Sequence, residues 1–356
     1  MISLFSHYWR ALIIYGNQRN HLVSNCNNMN ITSGRSYSNQ NVSISDCYFI
    51  RFQPFSGRGG VICSLLSSTS IFVNQTMFVN CSCSETGGAV DIEVQSCYFV
   101  RICAFRCRAH MLGHFIKTSI SGNQQIESSS ITSCSYDLHG TSPLYMIGGD
   151  QNYHLINSSI NHVNYMTGLQ ITNPKTFQNS FCTFSNGKAL TSGCIQLQNG
   201  EASIRYSNIV GNNVPNGGSI ILVENGNHKM ENCIFSENDM ILFRIYSGSL
   251  MISHCIISHS GSFSFATSVI TDNNNTMSLG RTYQISFFSS QYCKTDFSLH
   301  PQTPEFTLKN TEECSIEPTL EYPEQTKPRT YDLKCSFPLS NRNTLTSVFA
   351  FSILIG

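Results

Sequence analysis

The side chains that could carry acid–base chemistry are few and scattered. Eight aspartates stand singly, at Asp46, Asp91, Asp137, Asp150, Asp239, Asp272, Asp296 and Asp332. No Asp-Asp, Asp-x-Asp or Gly-His-Gly occurs. Cleavage of a polysaccharide wants paired carboxylates, or several aspartates around Ca²⁺ with an Arg or Lys base nearby. Only Asp91 and Glu93 meet the first requirement by spacing: two apart on an expected strand, they share one face. The expected setting for that pair is a solvated surface. A second constellation is Cys103-x₃-Cys107-x₂-His110-x₃-His114, whose spacing falls in the range of structural zinc. A compact finger there would interrupt the repeat described below, so buried or disulfide-bonded cysteines with surface histidines are expected instead. His254 and His259 flank Cys255 and should face solvent. Nothing marks a nucleophile with its base, because such triads assemble in space rather than in sequence. The sequence assigns no catalytic, cofactor-binding or metal-ligating residue.

Composition narrows the partners. The 356 residues carry 21 basic and 21 acidic side chains, and only 12% are charged. That balance gives no electrostatic footprint for nucleic acid or for an anionic membrane surface. With 40% apolar residues the chain should be ordered. Sixteen cysteines accompany six N-x-[ST] acceptors, at Asn30, Asn41, Asn74, Asn80, Asn157 and Asn274. Together they favour a secretory route and an oxidising compartment.

The elements that must carry these residues are repeats. An aliphatic residue, two positions often including Asn, a small Cys/Ser/Thr, any residue, then Phe or Ile recur from Ile44, Val73, Val94, Ile126, Leu155, Ile204, Met230 and Ile252. Weaker copies start at Asn179 and Tyr283. The closing positions, from Phe49 to Phe288, recur about every 27 residues, with gaps from 21 to 32. No copy can bury its own apolar side chains, whereas stacked copies share a continuous core. Short β-branched and aromatic runs between turn residues indicate strands, and the Ser/Asn/Gly density argues against helices. The pattern predicts a right-handed, single-stranded parallel β-helix of about ten rungs over residues 1–290. Its small positions (Cys47, Thr76, Cys97, Ser129, Ser158, Cys182, Ser207, Cys233, Cys255, Ser286) should stack about 4.8 Å apart as an internal ladder of mostly free thiols and hydroxyls. The alternative is disulfides between neighbouring rungs, such as Cys233 with Cys255. Gly pairs at Gly59-Gly60, Gly87-Gly88 and Gly217-Gly218, each leading into an aliphatic strand, mark a corner of the coil.

At these residues the chain resembles the polymorphic outer-membrane protein repeat family, marked by GGA[ILV] and FxxN tetrapeptides on a β-helix of the pectate-lyase-like superfamily. Gly87-Gly88-Ala89-Val90 matches the first motif and Phe235-Ser236-Glu237-Asn238 the second, with Ile209-Val210-Gly211-Asn212 a near match. The resemblance spans roughly residues 40–290. It implies a surface-exposed β-helix; similar proteins of single-celled eukaryotic parasites pair one with a single C-terminal membrane span. The bacterial members continue into a membrane barrel, for which the roughly 65 residues here after the last repeat are too few.

From residue 291 to 342, prolines and glutamates accumulate and predict a semi-extended stalk. Cys293, Cys314 and Cys335 lie outside the ladder and are the better disulfide candidates, one of them needing a partner elsewhere. Residues 343–356 form an apolar run about half as long as a spanning helix. It is expected to be the start of a transmembrane segment, or else a short apolar end. The functional expectation is a non-enzymatic protein of the cell surface or plasma membrane with its β-helix outside. It would bind a host or cell-surface protein or glycan by adhesion, with no cofactor. The alternatives are a carbohydrate-active enzyme, a polysaccharide lyase or glycoside hydrolase, on the same scaffold, and a purely structural coat. Clustered acids would favour the enzyme, and an exposed aromatic strip would favour binding.

Overall fold

A computed structural model describes residues 23–24 and, with short gaps, 42–293. The predicted stalk beyond Cys293, the apolar end, Cys314 and Cys335, His259, and the sequons at Asn30, Asn41 and Asn274 lie outside the described residues. Among the described residues no helix is long and apolar enough to cross a membrane.

The described residues are all-β, and every strand pairing among them is parallel, as in a β-helix of about eight turns. Each coil crosses three faces. The first sheet holds Ile62–Ser64, Val90–Val94, Ile116–Ile120, Leu144–Ile147, Met166–Thr172 and Gly193–Gln198. The second includes Val42–Ser45, Ser70–Asn74, Ser96–Val100, Thr176–Ser180 and Glu201–Arg205. The third holds Tyr48–Ile50, Met77–Val79, Cys103–Phe105, Thr183–Ser185, Asn208–Val210, Ile234–Ser236 and Ile256–Ser258. Two long strands, Ser219–Glu231 and Ile241–Ser253, run from the first sheet into the second. At the Gly corner the second glycine is needed for close stacking. A Cβ on Gly60 would strike the carbonyl of Gly88, and one on Gly88 that of His114.

Two tight corners bracket the third sheet in each coil, and both use a left-handed residue. Before it stand Gln75, Arg101, Ser128, Leu155, Phe181, Tyr206, Asn232 and His254, with φ between 46° and 56°. After it stand Asn80, Arg106, Ser133, Ile160, Asn186, Gly211 and Glu237. At most of these corners the residue following the left-handed one points into the core and its side chain bonds to a neighbouring coil. At the second corner Cys81, Cys107 and Cys134 donate their thiols to the carbonyls of Phe49, Phe78 and Ala104 one coil earlier. Asn161, Asn212 and Asn238 occupy the same place and donate to Ile131, Phe184 and Ile209. Their side-chain oxygens also accept the backbone N–H of Cys134, Gly187 and Asn212, at 2.8, 3.1 and 3.1 Å. The tetrapeptide Phe235-Ser236-Glu237-Asn238 is one such corner. At the first corner Ser129, Cys182, Ser207 and Cys255 accept the N–H of the residue stacked one coil earlier. Asn275 closes that column on Cys255 at 2.8 Å.

The register corrects two of the predicted repeats. The aliphatic column runs Ile44, Val73, Phe99, Ile126, Tyr153, Asn179, Ile204, Met230 and Ile252. Val94 is buried but pairs with Ile120 in the first sheet, and Leu155 is a half-buried corner residue. The true frames are Phe99-Val100-Arg101-Ile102-Cys103-Ala104 and Tyr153-His154-Leu155-Ile156-Asn157-Ser158. In both, sizes are exchanged: isoleucine takes the small position, and alanine or serine the aromatic one. A close-packed interior keeps the summed volume while residue types trade places. With these frames the closing positions Phe78, Ala104, Ile131, Ser158 and Phe184 are spaced 26, 27, 27 and 26 residues apart. Cys97 moves from the small column to the interior of the second sheet, between Ile71 and Gln124.

In the predicted last copy, Tyr283, Ile285, Phe287 and Phe288 are described and none pairs as a strand of the coil, while Ser286 lies outside the described residues. Asn208 donates to the Tyr283 carbonyl at 2.9 Å and accepts its N–H at 2.8 Å. Cys293 is disulfide-bonded to Cys103, 190 residues earlier. The chain has doubled back over the outer face of the third sheet.

Cys182, Cys233 and Cys255 are buried free thiols in the small column, where Cys47 is buried too, and Cys194 is a buried free thiol in the first sheet. Burial pushes Cys182 and Cys194 up to about 12. A folded-state value above the unfolded one leaves stability intact below about pH 8.5 and erodes it as pH rises toward the folded value, by about 2 kcal/mol per thiol at pH 10. Cys182→Ser keeps the column chemistry already used by Ser129 and Ser207. Urea unfolding should show the stability gap between this variant and the wild type shifting by about 2 kcal/mol in the variant's favour between pH 7 and pH 10.

Candidate functional site

The Asp91–Glu93 pair is where the solvated-surface expectation fails. Both side chains leave the outer face of the first sheet, yet Asp91 is fully buried while the Glu93 side chain is 41% exposed. The Arg58 Nε donates to Asp91 Oδ2 at 2.7 Å and its Nη2 to Oδ1 at 3.1 Å, and the same guanidinium pairs with Glu93. Thr86 donates its hydroxyl to Asp91 Oδ2, and Lys117 Nζ lies 3.4 Å from Oδ1. Register explains the assembly, since Cys63, Asp91 and Lys117 are cross-strand neighbours on three successive coils. Arg58 arrives from the Gly corner. Its hydrogen bond to Glu93 holds that carboxyl below the ordinary carboxylate range, and its hydrogen bonds to Asp91 first, then Glu93, raise the guanidinium further. Burial, then Asp91, pushes the Cys63 thiol up, which opposes a nucleophilic role. Both Asp91 oxygens are occupied by protein donors, leaving a structural ion network rather than a free acid or base.

The four candidate zinc ligands are not brought together. Cys103 faces outward and is bonded to Cys293. Cys107 faces the core, donating to Phe78. His110 is exposed. His114, expected at the surface, is fully buried, and its Nδ1 accepts the Ala109 N–H at 3.2 Å. His254 is exposed, as expected. Among the sequons, Asn157 is fully buried and donates to Ser130 and Ser159 at 2.9 and 3.1 Å, so it cannot carry a glycan in the folded chain.

Two features escaped the sequence reading. Inside the middle coils, Thr118 donates to Gln124, Gln124 to the Tyr153 hydroxyl and that hydroxyl to Gln151, at 2.8, 2.8 and 3.1 Å. This network is wholly interior. The second feature is outside. Along the first left-handed corner His154, Phe181, Tyr206 and Tyr283 form a continuous aromatic strip. Centroids are 5.6 Å apart for His154–Phe181, which meet edge-on, and 5.1 Å for Phe181–Tyr206, which stack with planes 9° from parallel. Tyr283 closes the strip edge-on to Tyr206 at 6.2 Å. Phe181 and Tyr206 are each 39% exposed. The Arg205–Glu231 ion pair (2.7 Å) and the His154–Ser180 hydrogen bond (2.9 Å) belong to the same or adjoining residues. No family model, no curated protein and no solved structure matches the chain. A left-handed corner favours Asn or Gly, and a bulky side chain there costs about 1–2 kcal/mol. Folding does not ask for Phe181 or Tyr206. The sequence signal for the strip is an aromatic residue just before the small position, at Phe181 and Tyr206 in successive copies.

The two carboxylates should separate cleanly on mutation. Asp91→Ala leaves Arg58 and Lys117 without their buried partner and should cost about 3–5 kcal/mol in a urea titration. Glu93→Gln should cost no more than about 1 kcal/mol. The depressed Glu93 value stabilises above the unfolded carboxylate value, and this contribution is lost as pH falls through the folded one. Glu93→Gln should therefore flatten the stability loss below about pH 4.3.

Proposed function

We propose that this chain is a non-enzymatic cell-surface binding protein whose partner docks on the aromatic corner strip. The observation that carries the reading is the placement of exposed Phe181 and Tyr206 at backbone positions that disfavour them. Unfavourable conformations kept at exposed positions point to function, and exposed aromatics are the anchors through which interfaces gain most of their energy. The strip, edged by an Arg–Glu pair and a histidine, suits a surface protein or a glycan with apolar patches and polar rims. The single carboxylate pair is engaged by Arg58, Thr86 and Lys117, which weighs against the alternative of a polysaccharide lyase or glycoside hydrolase. A disulfide joining Cys103 to Cys293 accords with an oxidising, extracellular setting. The sequence resemblance to polymorphic outer-membrane protein repeats supports surface display, and the apolar residues 343–356 supply the proposed membrane attachment.

Asparagine at a left-handed corner is favoured, so the double variant Phe181→Asn, Tyr206→Asn removes the strip without weakening the coil. Its melting temperature should equal or exceed that of the wild type. Binding of the purified chain to intact animal cells, read by flow cytometry, and to an immobilised glycan panel should fall by at least about 30-fold. Unchanged binding would remove the strip from the account. Depolymerisation of polygalacturonate by the wild type, abolished in Glu93→Gln, would favour the enzyme.

A further inference from the structure

The doubled-back residues cover a face whose middle coils are polar. Outward on the third sheet, one register column reads Cys103, Ser130, Asn157, Thr183 and Asn208. Ser130, Asn157, Thr183 and Asn208 are polar, yet each is at most 3% exposed. At one end Asn208 pairs with both backbone groups of Tyr283. At the other, Cys293 is bonded to Cys103, and Tyr292 and Phe288 pack with Phe105, Met77 and Val79. Ile285 and Phe287, between these ends, are buried. Four coil steps of about 4.8 Å separate Asn208 from Cys103, well within reach of ten extended residues at about 3.3 Å each. A permanently covered face would be expected to be apolar. The ends of this one are, at Met77, Val79, Val210 and Ile234, but its middle coils are polar, and the fit there is incomplete: Asn157 Oδ1 and Ser185 Oγ are buried without a hydrogen-bond partner.

We propose that the outer face of the third sheet is a peptide-binding face carried in closed form: Tyr283–Cys293 is its own occupant and the Cys103–Cys293 bond is the latch. Asn208 supplies the recognition, since one amide reads the N–H and C=O of a single extended residue. The chemistry of the occupant defines the partner it excludes, an uncharged segment rich in aromatic and small polar side chains. A tethered segment competes at an effective concentration of about millimolar or more, so a free peptide at micromolar concentration is shut out while the latch holds. Opening is thiol–disulfide exchange with an external dithiol. The dithiol is oxidised to its own disulfide, and Cys103 and Cys293 each gain one electron and one proton. The proposal is independent of the aromatic-strip reading, although release would also remove Tyr283 from Tyr206.

The test uses the full chain with Cys293→Ser and follows iodoacetamide alkylation of individual thiols by mass spectrometry. Cys97 and Cys182, fully buried in the core, are the internal references. Cys103 should be alkylated at least about tenfold faster than either, as a locally opened site against a globally protected one. A peptide of residues 282–292 should slow Cys103 alone, and a scrambled one should not. Brief treatment of folded wild type with a dithiol should reproduce the pattern. If Cys103 stays as slow as the references, the segment holds without its latch. If all three thiols react together, the disulfide is structural. If the peptide leaves Cys103 unchanged, the face does not take peptides. Any of the three overturns the proposal.

Discussion

Everything in this molecule depends on one repeated interaction. After a left-handed corner residue, an inward side chain hydrogen-bonds to the backbone of an adjacent coil. Asn212 shows it in full: its amide donates to the Phe184 carbonyl at 2.9 Å, and its oxygen accepts the Gly187 N–H at 3.1 Å. A tight corner in a parallel coil leaves backbone groups without strand partners, and burying them unpaired costs about 1–3 kcal/mol each. Asn satisfies a donor and an acceptor at once. Cysteine, in the earlier coils, satisfies only the carbonyl, through a weaker thiol donor. The substitution works because Cys81, Cys107 and Cys134 also fill the core as small hydrophobes. So many cysteines in a chain with one described disulfide are accounted for largely by packing.

The same constraint explains how much the sequence reveals. A period near 27, Gly pairs and small-residue positions were enough to read a parallel β-helix. Most of the predicted column holds, including Ile44, Val73, Ile126, Ile204, Met230 and Ile252. The frames at Val94 and Leu155 failed because a pattern of residue types cannot see a volume exchange, with Ile102 and Ala104 standing for a small residue and an aromatic. The Tyr283 copy failed because a segment that covers a sheet buries apolar residues, here Ile285 and Phe287, just as a strand within the coil does. The free thiols of Cys233 and Cys255 were legible, as was the need of one outlying cysteine for a distant partner. That the partner is Cys103 was not, because the link spans 190 residues.

The candidate sites divide along the same line. Asp91 and Glu93 were correctly placed on one face, but sequence could not show Arg58 and Lys117 arriving from neighbouring coils to bury Asp91. The aromatic strip is a property of stacking: Phe181 and Tyr206 are 25 residues apart and become neighbours only because each occupies the same corner of successive coils. A solenoid turns a sequence period into a surface row, so its functional rows are visible only once the register is right.

The most direct test of this account is a double-mutant cycle between Asn212 and Asn238, where Asn238 Oδ1 accepts both the Asn212 N–H and its side-chain amide at 3.1 Å. Urea unfolding of Asn212→Ala, Asn238→Ala and the double variant measures their coupling. If left-handed corners and their inward ladder set the register, the coupling energy should be about 1–2 kcal/mol. Effects that add to within about 0.3–0.5 kcal/mol would mean that the two residues act independently and that the ladder does not hold one coil to the next.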